Sequence, residues 1–314
     1  MTDIYAVVFP GQGSQSVGMM AELHSNFPIV QETFQQASDA LGFDLWSLIE
    51  NGPVENLNLT HNTQPAMLAS GVAVWRLLLD AGLKKPDYMA GHSLGEYTAL
   101  VASGAVDFAD AVSLVALRGK LMQDAVPEGL GAMAAILGLE DDVIRNICAE
   151  AAESEVVEAV NFNSPGQVVI AGNTAAVERA MEMAKEAGAK RALPLPVSAP
   201  SHCALMKPAA DKLAEKLANI TISMPDVPVI HNANVAAASS AAEIAQLLTL
   251  QLHSPVRWVE TIRLFSDDGG IETIIEAGPG KVLTGLCKRI DKSLTGMGVF
   301  DQASLDKVLE KLDA

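Results

Sequence analysis

The residues best suited to chemistry lie in Gly91-His92-Ser93-Leu94-Gly95, which matches G-x-S-x-G. In that pattern a strand runs into a tight turn and a helix begins at once. The glycines remove side chains that would clash there. Ser93 would then present its hydroxyl at the carboxyl end of a sheet, near the positive end of a helix. Ser93 and Glu96 also spell S-x-x-E, an ordinary capping box. A serine nucleophile needs a base, and the candidates are His24, His61, His92, His202, His231 and His253. His92 is next to the serine and would project differently from it. His202, in Pro200-Ser201-His202-Cys203, falls where the chain leaves a predicted small domain, a position that suits a cleft.

Arg118 stands out by its surroundings. Ala111, Leu114, Val115, Leu121 and Met122 form an apolar stripe at helical spacing, and position 118 falls on it. A charge there is buried or partly buried and needs a partner. The partner is either an internal acid such as Glu96 or a substrate carboxylate held by the guanidinium fork. The loop Pro10-Gly-Gln-Gly-Ser-Gln15 fits neither G-x-G-x-x-G nor a Walker pattern. It is a plain tight turn, or one that aims Gln12 at an oxyanion. No Cys/His spacing resembles a zinc site, and neither a metal nor a cofactor is expected.

The elements that must position these residues alternate. Strands are predicted at Tyr5–Phe9 and 88–92, and helices at 28–42, 64–81, 94–103 and 108–125. The middle of the chain changes character. Strands at 132–139, 156–161, 167–171 and 191–197 enclose helices at 140–152 and 174–188. That order, β-α-β-β-α-β, is the ferredoxin-like pattern. Bounded by Pro127-Glu-Gly129 and by the prolines at 194, 196 and 200, it reads as an inserted small domain, 128–197. The flanking stretches, 1–127 and 198–314, form one discontinuous α/β domain. Its second part carries helices at 205–218 and 241–252, strands at 227–232 and 271–276, and a helix after Gly278-Pro279-Gly280.

Composition agrees. The 314 residues are 49% hydrophobic but only 4% aromatic, so the core is built from Ala, Val, Leu, Ile and the 12 Met. Such a core suits helices packed on a parallel sheet. No run of 18 apolar residues exists, so no membrane span is expected. Met1-Thr2-Asp3 puts an acid where a secretory leader needs positive charge. Cys148, Cys203 and Cys287 are odd in number and far apart, which predicts free thiols in the cytoplasm. A formal net charge of −17 argues against nucleic-acid binding. An anionic ligand would need a local basic cluster.

With these residues in hand, the chain resembles the malonyl-CoA:acyl-carrier-protein transacylases of bacterial type II fatty-acid synthesis. The resemblance runs through Phe9-Pro-Gly-Gln-Gly-Ser-Gln15, Thr63-Gln-Pro-Ala66, Gly91-His-Ser-Leu-Gly-Glu-Tyr97 and Arg118-Gly119. It continues through Gly131-Ala-Met-Ala134, 161–168, Pro200-Ser-His202, Gln251 with Pro255-Val256, and Glu276-Ala-Gly-Pro-Gly-Lys281. It implies a hydrolase-like large domain with a mostly parallel sheet and an inserted ferredoxin-like small domain. It also implies transfer of a malonyl group from malonyl-CoA to holo acyl carrier protein through malonyl-Ser93. His202 would be the base, Gln12 and the Leu94 N–H the oxyanion hole, and Arg118 the partner of the malonyl carboxylate. Gln251 would orient His202 through its main-chain carbonyl, and His92 and Asn163 would line the site. Polyketide acyltransferases share the serine and histidine motifs but usually carry another pair where Pro200-Ser201 stands. Because both partners are anionic, a basic patch is expected at Lys190, Arg191, Lys207, Lys281, Lys288 and Arg289, or else these are scattered solvated charges. A serine esterase or thioesterase, or a non-catalytic carrier-protein-binding subunit, are the other readings; the former has no reason to keep Arg118 on an apolar stripe.

Overall fold

The computed structural model describes residues 4–127, 129–197 and 199–312. Its strands, in chain order, are β1 Tyr5–Phe9, β2 Tyr88–Gly91, β3 Gly131–Leu137, β4 Val157–Ser164 and β5 Gln167–Asn173. They continue with β6 Arg191–Pro194, β7 Val229–Ile230, β8 Thr273–Ala277 and β9 Thr295–Val299. One sheet has the order β7-β2-β1-β8-β9, and every neighbouring pair in it is parallel. A parallel strand covered by helices on both faces reads as a continuous apolar run. β1, Tyr-Ala-Val-Val-Phe, is buried at every position for that reason. Because the strands run the same way, the loops after β1, β2 and β8 open on one carboxyl edge, where α/β sheets form their sites.

The second sheet is antiparallel, with the order β4-β5-β3-β6. Counted within the segment this is 2-3-1-4, the ferredoxin-like arrangement that the sequence predicts. Side chains alternate across it. Ala134, Ile136, Val168 and Ile170 pack under the helices Asp141–Ala152 and Thr174–Glu186. Met133, Val169 and Ala171 face the other way, onto Cys203 of the large sheet's portion of the chain. β4 is also stitched to that portion by backbone bonds: Phe162 N–H to the Val256 carbonyl, 3.0 Å, and Val256 N–H to the Val160 carbonyl, 2.8 Å. Glu128 and Ser198, at the two predicted domain crossings, lie outside the described residues, as does Met1-Thr2-Asp3.

Several expectations shift. The helix expected from 64 begins at Thr60 and runs to Asp80 through Pro65. Pro65 falls in its second turn and forfeits one donor there, which sixteen buried positions along the helix outweigh. The strand expected to reach 197 ends at Pro194: Leu195 N–H still reaches the Met133 carbonyl at 2.9 Å, but Pro196 has no N–H to extend the ladder and Val197 N–H turns back to the Leu195 carbonyl. The strand expected at 227–232 is the two-residue β7. β9 and the helix Gln302–Lys311 were not anticipated. β9 holds two glycines in five residues and lies at the sheet edge, so no alternating pattern marks it. The helix does carry a readable start signal, the Asp301–Ser304 capping box. Among the described residues no helix is long and apolar enough to cross a membrane. None of their His, Cys, Asp and Glu side chains gather in threes to hold a metal.

Candidate active site

The turn at Ser93 exists because two glycines allow it. A Cβ on Gly91 would lie 1.8 Å from the Gly95 carbonyl carbon, and one on Gly95 would lie 2.0 Å from the Phe9 oxygen. The end of β2 therefore sits directly against the start of the helix Gly95–Ala102. Gly11 brings the loop after β1 equally close, since a Cβ there would lie 2.5 Å from the His92 oxygen. Ser93 itself has φ 52°, a left-handed conformation that costs a non-glycine residue on the order of 1 kcal/mol or more. Asn232 splints it. Its Nδ2 donates to the Gly91 carbonyl at 2.7 Å, and its Oδ1 accepts the Ser93 N–H at 2.8 Å. Nothing in the sequence marked Asn232, which follows the two-residue β7.

The capping-box reading of Ser93 and Glu96 fails. No side chain caps that helix. Ser93 Oγ instead lies 2.7 Å from His202 Nε2. Of the six histidines only His202 reaches the serine; His61, His92 and His231 bond to Gln123, Asn163 and Glu96, and His24 stacks on Trp46. His202, at φ 67°, presents Nδ1 to the Gln251 carbonyl at 2.7 Å. Facing a carbonyl, Nδ1 must carry the proton, which leaves the Nε2 lone pair for the serine hydroxyl. Gln251 is the last residue of the helix Ala241–Gln251. An imidazolium formed at His202 would therefore meet an unsatisfied carbonyl at the negative end of a helix dipole. Such a carbonyl can orient a histidine where no carboxylate does.

Arg118 is 1% exposed on the helix Phe108–Ala125. Its Nη1 donates to Gln64 Oε1 at 2.8 Å and its Nη2 to Gln251 Oε1 at 3.1 Å. Nη2 also lies 3.5 Å from Ser93 Oγ, and the guanidinium carbon stands 5.3 Å from the Tyr97 ring centroid. Glu96, the internal acid that might have paired with it, binds His231, Asn232 and Gln251 instead. Among the described residues no carboxylate is in ion-pair contact with Arg118. Burial disfavours the arginine's charge, and Tyr97 and Glu96 oppose that effect.

The cleft around these groups is lined by polar and apolar side chains together: Gln12, His92, Leu94 and Met122, with Met133, Asn161, Asn163, Val169 and Leu195. Gln12 reaches Thr60 Oγ1 at 3.4 Å. His92 holds Asn163 at 2.7 Å and meets Trp258 edge-on, tying the turn to β4. The expected basic residues divide. Arg289 donates to Gln167 at 2.7 Å, Gln167 and Arg191 both pair with Leu137, and Lys190 lies over Gly138. Arg289, Arg191 and Lys190 thus share one end of the small sheet, with Lys288 in the same helical turn as Arg289. Lys281 precedes the other end of that helix, and Lys207 is paired with Asp211 on a different one.

Burial and the positive charge of Arg118 pull the His202 pKa down to about 3. If His202 serves Ser93 as a base, protonation removes that function, and activity should be lost as pH falls through the folded value. The acid limb of kcat/KM should lie well below the ordinary histidine pKa of about 6.5. A carboxylate bound beside Arg118 would offset its charge, and the limb in kcat should then move to higher pH. A pH–rate profile whose free-enzyme limb sits near or above 6.5 would contradict this electrostatic picture.

A match to the acyl transferase domain family spans residues 6–304. The malonyl CoA-acyl carrier protein transacylase of Salmonella typhimurium is 59% identical over 305 residues, covering 97% of this chain and 98% of the relative. The chain belongs to the malonyl CoA-acyl carrier protein transacylase family. An acyl carrier protein S-malonyltransferase from Vibrio cholerae, solved at 1.7 Å, superposes with a TM-score of 0.95 at 60% identity, over 97% of this chain and 99% of that one. A second transacylase structure holds a type II polyketide acyl-carrier protein in complex with its malonyl-transacylase. It matches at 56% identity and a TM-score of 0.97, over 98% of this chain and 100% of the other.

Proposed function

We propose that this acyltransferase moves malonyl from malonyl-CoA to the phosphopantetheine thiol of holo acyl carrier protein in two half-reactions on Ser93. Ser93 Oγ attacks the thioester carbonyl carbon while His202 Nε2 takes the hydroxyl proton. The tetrahedral oxyanion is held by the Leu94 N–H and by Gln12. The C–S bond breaks, CoA leaves with the proton from His202, and malonyl rests on Ser93 as an ester. The carrier-protein thiol then gives its proton to His202 and attacks the ester, and Ser93 Oγ leaves with that proton. Throughout, the free carboxylate of the malonyl group pairs with Arg118. The observation that carries this reading is a buried guanidinium with no acid in ion-pair contact among the described residues, 3.5 Å from the Ser93 oxygen. A carboxylate two bonds from the reacting carbonyl fits that spacing.

In this reading the cleft lies between a large domain, 1–127 and 198–314, and a small one, 128–197. Gln12, His92 and Met122 line it from the first, and Met133, Asn163 and Val169 from the second. The cations at the end of the small sheet, Lys190, Arg191, Lys288 and Arg289, are the part of the expected patch best placed to meet an acidic partner together. Three buried, free cysteines suit a reducing cytoplasm. Incubation with malonyl-CoA and holo carrier protein should give malonyl-carrier protein as the main product. Predominant release of free malonate would mean a thioesterase instead.

A further inference from the structure

Glu96 is fully buried, and the proposed mechanism gives it no task. Its Oε2 receives both the Asn232 N–H and Gln251 Nε2 at 2.9 Å, while its Oε1 lies 2.7 Å from His231 Nδ1. Gln251 Nε2 also donates to the Ser93 carbonyl at 2.9 Å. The amide nitrogen of Gln251 thus faces two oxygens, and its oxygen is left for Arg118 Nη2 at 3.1 Å. The opposite orientation would set oxygen against two acceptors and an NH2 group against a guanidinium, which has no acceptor. Asn232, whose backbone Glu96 holds, splints Ser93 from the other side.

We propose that Glu96 is a positioning residue: it fixes the polarity of the Gln251 amide, and through it keeps Arg118 aimed beside Ser93. The carboxyl group touches none of Ser93, His202 and Arg118, yet each is one residue away through Gln251 or Asn232. Gln251 joins them by two separate groups. Its side-chain amide runs from Glu96 to Arg118, and its main-chain carbonyl holds His202. Loss of the Glu96 acceptor frees the amide to turn, which removes an acceptor from Arg118. The damage should then fall on substrates that carry a carboxylate.

The inference rests on Arg118 as the malonyl partner, so Arg118→Ala is measured alongside. Acyl transfer is assayed with malonyl and acetyl thioesters in each variant. Glu96→Met removes both oxygens at similar volume and should lower the malonyl/acetyl ratio of kcat/KM by about tenfold, the effect of one hydrogen bond to a charged group. Glu96→Gln still offers one oxygen to Gln251 and Asn232 and should keep most of the ratio. If Glu96→Met does not fold, Gln251→Met cuts the same link from the Arg118 side while retaining the main-chain carbonyl, and should show the same selective loss. A residue that merely supported the fold would lower both activities together. A folded Glu96→Met or Gln251→Met enzyme with the parent's ratio would overturn the proposal, as would Glu96→Gln falling as far as Glu96→Met. An unchanged ratio in Arg118→Ala would instead overturn the reading of Arg118.

Discussion

Arg118→Ala should reduce malonyl transfer by about 100-fold or more, the range expected when one member of a buried charge pair is truncated. Acetyl transfer, which makes no such pair, should change far less. The size of the effect depends on where the arginine's charge is satisfied. Two neutral glutamine oxygens and the Tyr97 ring surround it, and among the described residues no carboxylate is bonded to it. A guanidinium held this way by neutral dipoles is stable enough to wait for an anion, and the anion then finds it desolvated and pre-aimed. The same substitution removes a positive charge that depresses the His202 pKa. The acid limb of the remaining acetyl activity should therefore rise in pH. Steady-state kinetics on the two thioesters across pH reads both effects in one series, and equal losses for malonyl and acetyl would refute the role.

The second large effect is expected at the Ser93–His202 pair. Either Ser93→Ala or His202→Ala should lower transfer by about 10³-fold or more, and the double variant should be little worse than the worse single one, because the two act as a unit. His202→Ala should fail in both half-reactions, since the same Nε2 serves the serine hydroxyl and then the incoming thiol. Because the His202 Nδ1–H rests on a main-chain carbonyl, no side-chain substitution at 251 removes that support directly. Gln251 variants should consequently alter selectivity more than they alter the base. Stopped assays with each thioester separate the half-reactions. Near-parental transfer by Ser93→Ala would mean that Ser93 is not the nucleophile.

Much of this was legible before the structure. The turn at Ser93 could be read because short-range geometry dictates it: a strand, two obligatory glycines and a small-residue helix. Arg118 could be read because helical periodicity places position 118 on an apolar stripe whatever the tertiary fold. The small domain could be read from the order of its elements alone. What stayed hidden depends on contacts across the chain. Asn232 reaches Ser93 over 139 residues, and Glu96 reaches Gln251 over 155. Local pattern even misdirected, since S-x-x-E is a cap in most helices and here the glutamate turns inward to a network that no spacing rule encodes. The carbonyl of Gln251 as partner of His202 came from family resemblance, because a main-chain acceptor leaves no trace in residue type. β9 was missed because glycines at an edge position erase the alternation that marks a strand.

The most direct test of the account is to incubate the protein with malonyl-CoA labelled in the malonyl group, trap the acyl-enzyme, and map the label to a peptide. The account predicts one labelled residue, Ser93, and loss of that label to holo acyl carrier protein when it is added, with none passing to the apo form. Label on another residue, or label on Ser93 that goes to water and not to the carrier-protein thiol, would contradict it.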